Sequence, residues 1–377
     1  MTGGQSVFIR NLIPHLDADV GMVGTTTGRE PLGRWQQRTV GGAVYRFMPV
    51  ARMTPPGRAP RVPLRLTSCL GVARFRRRII AAGDVMYVHS PEMGVPLVLG
   101  PGRKPVAMHV HGSANPLTAS RYGWARHPVL RRTYGILWRL VIARSGVVMS
   151  VDDAGLDLAR SFLPGGARTQ LVLVPICVDA DLFRPGDREE ARRGLGLAGT
   201  DAVLLFVGRL EEAKGASRLI AAFARLAATR PELALVLIGD GSQREALGMQ
   251  ARAAGVGQRV TFAGWVDHDV LPAWLRAADV LLLPSDYEGL PTVVIEAMSC
   301  GVPVVATAVG GLPALVREGE NGLLLHEPTV AALTAATEAA LTRTWSAGQV
   351  RESVGRYSAA ETASRVTALL RGLAGRA

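Results

Sequence analysis

The sequence predicts an α/β fold in which parallel strands alternate with helices in two doubly wound domains. The chain has 377 residues, enough for two domains that each bury a sizeable core. From Val203 onward, short apolar runs alternate regularly with stretches of helical length. Several of these runs, such as 280–283, are apolar at every position, which is typical of strands covered on both faces in a parallel sheet.

The domain boundaries are predicted from a break in this alternation. Residues 179–193 resemble a linker, with Pro185-Gly186 as its break. We therefore assign residues 1–178 to a first domain and residues 179–350 to a second. Residues 351–377 are predicted to be a C-terminal helical segment.

The first domain opens on a glycine-rich turn. Gly3-Gly4 leads into a helix, whereas in a doubly wound domain such a turn follows a strand, so we expect that the first strand is missing. Loss of the strand, a wrong start site and a simple chain terminus remain alternative explanations. Strand-like runs then follow at 20–25, 43–48, 85–89, 106–111, 147–151 and 171–174.

The second domain has the more regular pattern. Strands are predicted at 203–207, 234–239, 260–264, 280–283, 302–306 and 323–325, with helices between them. Ligands of doubly wound sheets bind at the carboxyl ends of the strands. The residues that directly follow each strand are therefore the candidate site residues.

Two carboxylates near the fourth of these strands are the main candidates. Glu288 lies in a polar turn before a helix whose first turn holds Pro291, and Glu296 lies on the second turn of that helix. The free N–H groups of a helix start attract phosphate, and nearby acids can accept hydrogen bonds from hydroxyls, each worth roughly 1.5–3 kcal/mol. The arrangement suits a nucleotide sugar. Two alternatives stay open: Glu288 could only stabilise the helix start, and Glu296 could form a structural ion pair.

Cations, glycines and one histidine follow other strands. Arg209 and Lys214 could neutralise a diphosphate, although either residue taken alone would be interpreted as an ordinary surface charge. Gly239-Asp240-Gly241 forms a tight turn, and the backbone of Gly264-Trp265-Val266 could meet a nucleobase. In the first domain His111 follows a strand, where a histidine is a better candidate for ligand contact than elsewhere.

Composition and charge narrow the class of protein. The three cysteines are far apart, so neither a disulfide framework nor a zinc site is predicted. We find no signal peptide and no apolar run long enough to span a membrane, and expect a cytoplasmic protein. Residues 1–150 hold 21 basic and 5 acidic residues, a formal charge of +16, whereas the remainder carries −4. This asymmetry points to an anionic partner of the first domain.

Two basic amphipathic segments, 72–80 and 122–144, belong to that first domain. In the second segment, aromatic and aliphatic residues alternate with Arg126, Arg131, Arg132, Arg139 and Arg144. Such a segment suits an anionic membrane surface. The alternative is a core helix with a solvated basic face.

Taken together, the motifs resemble the family-4 retaining glycosyltransferases, also called group 1 glycosyl transferases. That family has the glycosyltransferase-B fold, two Rossmann-like domains facing across a cleft. The resemblance is carried by residues 207–210, 214–215, 238–241, 262–266, 284–291, 296–298, 301–305 and 309–311. It is close over roughly 200–330 and weaker in the first domain, through Gly3-Gly4, 109–112 and 174–175.

The resemblance implies catalytic roles. Arg209 and Lys214 would hold the donor diphosphate and stabilise it as it leaves. Glu288 would contact the hydroxyls of the donor sugar, and His111 would touch that sugar from the opposing domain. The segment 359–373 would cross back onto the first domain. No divalent metal and no other cofactor are implied.

The resemblance also implies a set of donor-binding residues. Glu296 would bind the ribose diol, and Trp265 and Val266 would lie beside the base. The remaining donor-binding positions are Gly3, Gly4, Gly208, Gly241, Gly289 and Leu290.

The leading hypothesis is a retaining, metal-independent hexosyltransferase. It would move a hexose-type sugar from a nucleotide-diphosphate donor to an acceptor sugar, glycolipid or lipid-linked saccharide at the inner face of the membrane. The alternatives are a nucleotide-sugar epimerase or phosphorylase of the same fold and an inactive polyanion-binding relative; no nucleic-acid partner is expected. The chain departs from the family pattern at the missing first strand and at Ile176-Cys177, where the family commonly has Asn-Gly.

Overall fold

The computed structural model describes residues 4–40, 43–53, 62–111, 127–197, 199–200 and 202–375. It divides into two compact units. The first comprises Met1–Cys177 and Ala359–Ala377, and the second comprises Val178–Ser358. Parallel sheets flanked by helices occur in both units, which confirms the predicted α/β class.

The first unit contains two sheets. Its strands are β1 (Gly21–Thr26), β2 (Gln36–Val40), β3 (Ala43–Arg52), β4 (Met86–Val88), β5 (Val106–Val110), β6 (Val147–Ser150) and β7 (Gln170–Leu173). One sheet has the order β1-β3-β2 and the other the order β4-β5-β6-β7, in which every pair is parallel. The antiparallel strand β2 was not predicted, because its sequence QQRTV contains no apolar run.

Helices cover these sheets. They are α1 (Gly4–Leu12), α2 (Leu64–Ile80), α3 (Pro91–Val98), α4 (Pro128–Arg144) and α5 (Asp153–Phe162). The core of this unit is formed by fully buried side chains such as Met108 of β5, Val148 of β6 and Val141 of α4. The first described element is α1, which begins at Gly4; Gly3 and residues 112–126 lie outside the described part of the chain.

The second unit holds one six-stranded parallel sheet. Its strands are β8 (Ala202–Val207), β9 (Leu233–Ile238), β10 (Val260–Gly264), β11 (Val280–Leu283), β12 (Val304–Thr307) and β13 (Gly322–Leu325). The order is β10-β9-β8-β11-β12-β13. The chain therefore moves outward from β8 in one direction, then returns to its other side at β11. This reversal is a topological switch point, beside which ligands of open α/β sheets bind.

The helices of the second unit lie before, between and after its strands. They are α6 (Arg188–Gly194), α7 (Ala216–Ala227), α8 (Arg244–Ala253), α9 (Leu271–Ala277), α10 (Thr292–Ser299), α11 (Leu312–Leu315), α12 (Val330–Thr342) and α13 (Ala347–Glu352). Helix α6 occupies part of the predicted linker. Arg192 of this helix is 5% exposed and pairs with Asp279, so the stretch is packed structure rather than a free connection.

The last helix, α14 (Ala359–Ala374), belongs to the first unit, where it packs against α1 and β5. Arg371 of α14 pairs with the carboxylate of Asp17 at 2.6 Å. None of the helices in the described ranges combines the length and the apolar character needed to cross a membrane.

Candidate functional site

The switch point of the second unit brings two predicted site residues together. Nζ of Lys214, which follows β8, lies 2.7 Å from Oε1 of Glu288, which follows β11. The hydroxyl of Ser285 donates to the same carboxylate oxygen at 2.7 Å. Glu288 is 7% exposed, and a buried carboxylate needs such an opposite charge and hydrogen-bond donor. Within the described residues Oε2 accepts no hydrogen bond, so it is available to a ligand hydroxyl.

Two glycines allow these loops to approach each other. Gly215, directly after Lys214, has φ +69°, and a Cβ there would collide with the carbonyl oxygen of Pro284. Gly310 has φ +56°, and a Cβ there would collide with the carbonyl oxygen of Glu288. The N–H of Gly311 donates to the carbonyl oxygen of Gly289 at 2.7 Å. The loop that carries Glu288 is therefore held by backbone on two sides, in positions that only glycine fits without strain.

Arg209 pairs with a different residue. Its guanidinium lies 2.6 Å from Oε1 of Glu211, and the side chains are 69% and 41% exposed. An ion pair this exposed contributes about 0–1 kcal/mol. Exchanging Glu211 for a phosphate would therefore cost little.

The predicted glycines Gly208 and Gly241 lie where the loops after β8 and β9 meet. The N–H of Gly208 donates to the carbonyl oxygen of Ile238 at 2.9 Å, and a Cβ on Gly239, whose φ is +129°, would collide with the carbonyl oxygen of Gly208. A Cβ on Gly241 would collide with the backbone of Leu210. The loops after β8 and β9 thus touch backbone to backbone. The donor contacts predicted for Gly208 and Gly241 stay predictions.

The other predicted donor-binding positions lie on two loops. Trp265 is 62% exposed and Val266 is half-buried, both directly after β10. Gly289 is exposed and Leu290 half-buried, directly before α10. In the described part of the chain, neither Gly289 nor Leu290 donates its N–H to a protein acceptor. Two amides near a helix start are therefore available to an anionic ligand.

Glu296 is buried on α10, with 3% exposure. Its Oε1 lies 3.0 Å from Nε2 of His268, which follows β10. The ring of His268 packs edge-on against Phe183. Glu296 thus has a structural partner, as one alternative predicted, and that partner is a histidine. Its other carboxylate oxygen, Oε2, has no partner within the described ranges.

His111 lies in the first unit, where it belongs to a stack of imidazole rings. His89 Nδ1 and His111 Nε2 are 2.9 Å apart, and the hydroxyl of Tyr87 lies 2.6 Å from Nδ1 of His109. Burial lowers the pKa of His111 to about 4, and burial followed by the neighbouring His111 holds the pKa values of His89 and His109 well below their usual range. His111 is therefore a neutral hydrogen-bonding group at pH 7.

The sequence analysis singled out His111 but did not predict that His89 and His109 would lie against it. His89 directly follows β4, and His109 is the last residue but one of the neighbouring parallel strand β5. His109 and His111 share a face because side chains alternate along a strand. One nitrogen of each of the three lies within 4.8 Å of the others, an arrangement that could hold a metal ion. The prediction that the chain needs no metal stays a prediction.

Sequence reasoning also missed Ser285 and His268. Ser285 could have been found, because it directly follows the apolar run of β11 in the same loop as Glu288. His268 carries no local signal, since it meets Glu296 across 28 residues of sequence.

These features define a class of protein. A doubly wound parallel sheet carries a cation, a buried acid and free amides at its switch point, with a second buried acid on the adjoining helix. The family model described as "Glycosyl transferases group 1" matches residues 187–359. Residues 187–359 are thus similar to a group 1 glycosyltransferase domain, as the motifs predicted.

Curated relatives bear glycosyltransferase names. D-inositol 3-phosphate glycosyltransferase 2 of Catenulispora acidiphila is 37% identical over 201 residues, which is 50% of this chain and 47% of the relative. D-inositol 3-phosphate glycosyltransferase of Acidothermus cellulolyticus is 40% identical over 206 residues, covering 50% and 46%. The matched part thus spans about half the length of these relatives.

Solved structures share the fold over the whole chain. Sucrose-phosphate synthase from Thermosynechococcus elongatus has a TM-score of 0.76 at 23% identity, covering 100% of this chain and 95% of that one. HepE of Anabaena in complex with UDP-glucose has a TM-score of 0.67 at 21% identity, covering 99% of this chain and 96% of that one. WaaG, a glycosyltransferase involved in lipopolysaccharide biosynthesis, has a TM-score of 0.68 at 18% identity, covering 99% of this chain and 97% of that one. The predicted glycosyltransferase-B fold is confirmed.

Proposed function

We propose that this chain transfers a hexose-type sugar from a nucleoside-diphosphate donor to an acceptor hydroxyl. The observation that carries the proposal is the contact between Lys214 and Glu288 at the switch point of the second sheet. It places a cation for the diphosphate next to an acid for the sugar. A phosphate-binding site alone would not need the buried acid.

Each candidate site residue has a separate role in the proposed transfer. As the bond from the anomeric carbon to the diphosphate breaks, negative charge grows on the diphosphate, and Lys214 and Arg209 stabilise that charge. Glu288, whose Oε1 is fixed by Lys214 and Ser285, accepts a hydrogen bond from a sugar hydroxyl through Oε2. Glu296 accepts from the ribose. The neutral His111 contributes a hydrogen bond to the donor sugar rather than a charge.

The stereochemical course we propose is retention. The acceptor oxygen attacks the anomeric carbon on the face from which the diphosphate departs, and the acceptor proton passes to a diphosphate oxygen. This course rests on the resemblance of the motifs to retaining enzymes. It needs no carboxylate nucleophile and no metal, because the leaving group is stabilised by protein cations.

Named relatives and neighbours suggest the first substrates to assay. HepE has been crystallised with UDP and with UDP-glucose, and the curated relatives are named for D-inositol 3-phosphate. UDP-sugars are therefore the first donors to test, with polyol phosphates and lipid-linked saccharides as acceptors.

We further propose that the acceptor is met at the inner face of an anionic membrane. Helix α4 buries Tyr134 and Trp138 but exposes Val129, Ile136 and Leu137, with exposed fractions of 60%, 59% and 37%. The exposed arginines Arg131, Arg132 and Arg139 lie on the same helix. Exposed apolar side chains next to arginines suit the interface of a membrane that carries negative charge.

The test of transfer compares nucleoside-diphosphate release by the native chain and by Glu288→Ala, over a panel of UDP-, GDP- and ADP-sugars with these acceptors. We expect Glu288→Ala to release the nucleotide at least about a hundredfold more slowly while remaining folded. Glu338→Ala removes an exposed acid of α12 and should leave the rate unchanged. Full activity of Glu288→Ala would refute the assignment.

A further inference from the structure

We propose that His268 is the positioning residue for ribose recognition, acting through Glu296. The proposal rests on the proposed function, in which Glu296 binds the ribose of the nucleotide donor. It adds a residue that makes one oxygen of Glu296 unavailable to the ribose and directs the other toward the ligand.

The first support is the geometry of the pair. Nε2 of His268 lies 3.0 Å from Oε1 of Glu296, and the two side chains are 11% and 4% exposed. Within the described ranges this is the single protein hydrogen bond of the Glu296 side chain. A buried carboxylate without a donor would pay the cost of desolvation. His268 therefore decides in which orientation the carboxylate is stable.

The second support is the direction of the proton. Nδ1 of His268 is buried and has no hydrogen-bond partner within the described residues. A buried N–H without an acceptor is costly, so Nε2 carries a proton and donates it to Oε1. Oε2 of Glu296 is then left to accept a hydroxyl.

The third support is that buried neighbours hold both His268 and Glu296 in place. The ring of His268 packs at 72° and 4.9 Å against Phe183, which is fully buried. The loop of His268 is held by the N–H groups of Val270 and Leu271, which donate to the carbonyl oxygen of Asp267. Glu296 stands on α10, surrounded by buried Ile295 and Ala297. Neither partner can turn away without disturbing packed neighbours.

His268 lies on the loop that follows β10. The same loop carries Trp265 and Val266, the residues expected beside the base. His268 thus connects the loop that is expected to contact the base with Glu296, the acid that is proposed to bind the ribose. Loss of the hydrogen bond should weaken selection for the ribose more than it weakens binding of the diphosphate.

The experiment measures the affinities of UDP, GDP and ADP and of their 2′-deoxy and 3′-deoxy counterparts by calorimetry. We compare the ratio of affinities, ribose over deoxyribose, among variants. In His268→Leu, which removes the N–H donor, we expect this ratio to fall about tenfold. His268→Gln keeps an N–H donor at a similar reach and should restore most of the ratio. His326→Leu, the same change at an exposed histidine of the second unit, should leave it unchanged.

Failure of this inference can be told apart from failure of the proposed function. If Glu296→Ala loses the preference for ribose but folded His268→Leu keeps it, the role of His268 is refuted and that of Glu296 stands. If no nucleotide binds the native chain, or if Glu296→Ala keeps the preference, the ribose site itself is refuted, and the role of His268 with it. If His268→Leu binds ribose and deoxyribose forms more weakly by the same factor, the contact is only structural, which also overturns the proposal.

Discussion

At the scale of single residues, the contact between Lys214 and Glu288 serves both stability and chemistry. The side chains are 20% and 8% exposed, so both charges are largely removed from water. A buried ion pair adds little stability over an apolar pair, but removal of one partner leaves an uncompensated charge. In our account the ligand uses both charged groups, which explains an ion pair at a place where an apolar contact would be as stable.

The first prediction concerns this charge compensation. Lys214→Met should destabilise the second unit by about 3–5 kcal/mol, because Glu288 is left buried with only the hydroxyl of Ser285. The double variant Lys214→Met/Glu288→Gln should recover most of that loss, whereas transfer activity should stay absent. Urea denaturation of the single and double variants measures the coupling. Strictly additive effects would show that the two charges do not depend on each other.

At the scale of elements, the sequence predicted some parts well and others poorly. The strands of the second sheet were located closely, because buried parallel strands such as β11 are apolar at every position. Strand β2 was missed because its mostly polar residues alternate between half-buried and exposed at the edge of its sheet. Helix α6 was taken for a linker, since Arg192 finds its partner Asp279 only in the folded structure.

The candidate site shows the same limit. Residues that follow a strand could be predicted, because parallel strands bring their carboxyl ends to one edge. The partners that orient them could not: His268 meets Glu296, and His89 meets His111, only through the packing of separate elements. The roles of the predicted residues rest on the resemblance and on this geometry.

The second prediction concerns the exposed face of α4. The double variant Arg132→Ser/Arg139→Ser should bind vesicles that contain anionic lipid about thirtyfold more weakly, at roughly 1 kcal/mol per arginine near the surface. Co-sedimentation with anionic and with zwitterionic vesicles measures the effect. Arg193→Ser/Arg225→Ser makes the same charge change at exposed positions of the second unit and should bind as the native chain does. If both double variants lose the same affinity for anionic vesicles, binding depends only on the net charge of the chain, and the proposed role of α4 is refuted.

At the scale of the whole molecule, the histidine stack makes the stability of the first unit dependent on pH. The pKa of His111 is lowered to about 4, and the pKa values of His89 and His109 also lie well below 6.5, mainly because of burial. The unfolded chain therefore binds protons that the folded chain does not as the pH falls below about 6.5. The stability contributed by the neutral rings is present above that pH and is lost toward pH 4.

The third prediction follows from that sign. Between pH 6.5 and 5 the unfolding free energy of the first unit should fall by up to about 1.4 kcal/mol per pH unit for each histidine of the stack. Hydrogen exchange of peptides from β5 and β6 measures it. His89→Gln removes one titrating group and should flatten the slope, whereas His326→Gln should not. A slope that is unchanged in His89→Gln would contradict the assignment.

The central claim is that the second unit binds a nucleoside diphosphate through Glu296. The most direct measurement is thermal denaturation in EDTA with UDP, GDP, ADP and their sugar conjugates, with heparin as a polyanion control. Our account predicts stabilisation by nucleotides of one base, about 2.7 kcal/mol at a hundred times the dissociation constant. The effect should be lost in Glu296→Ala and kept in Glu338→Ala. Stabilisation by heparin alone, or an undiminished nucleotide effect in Glu296→Ala, would contradict it.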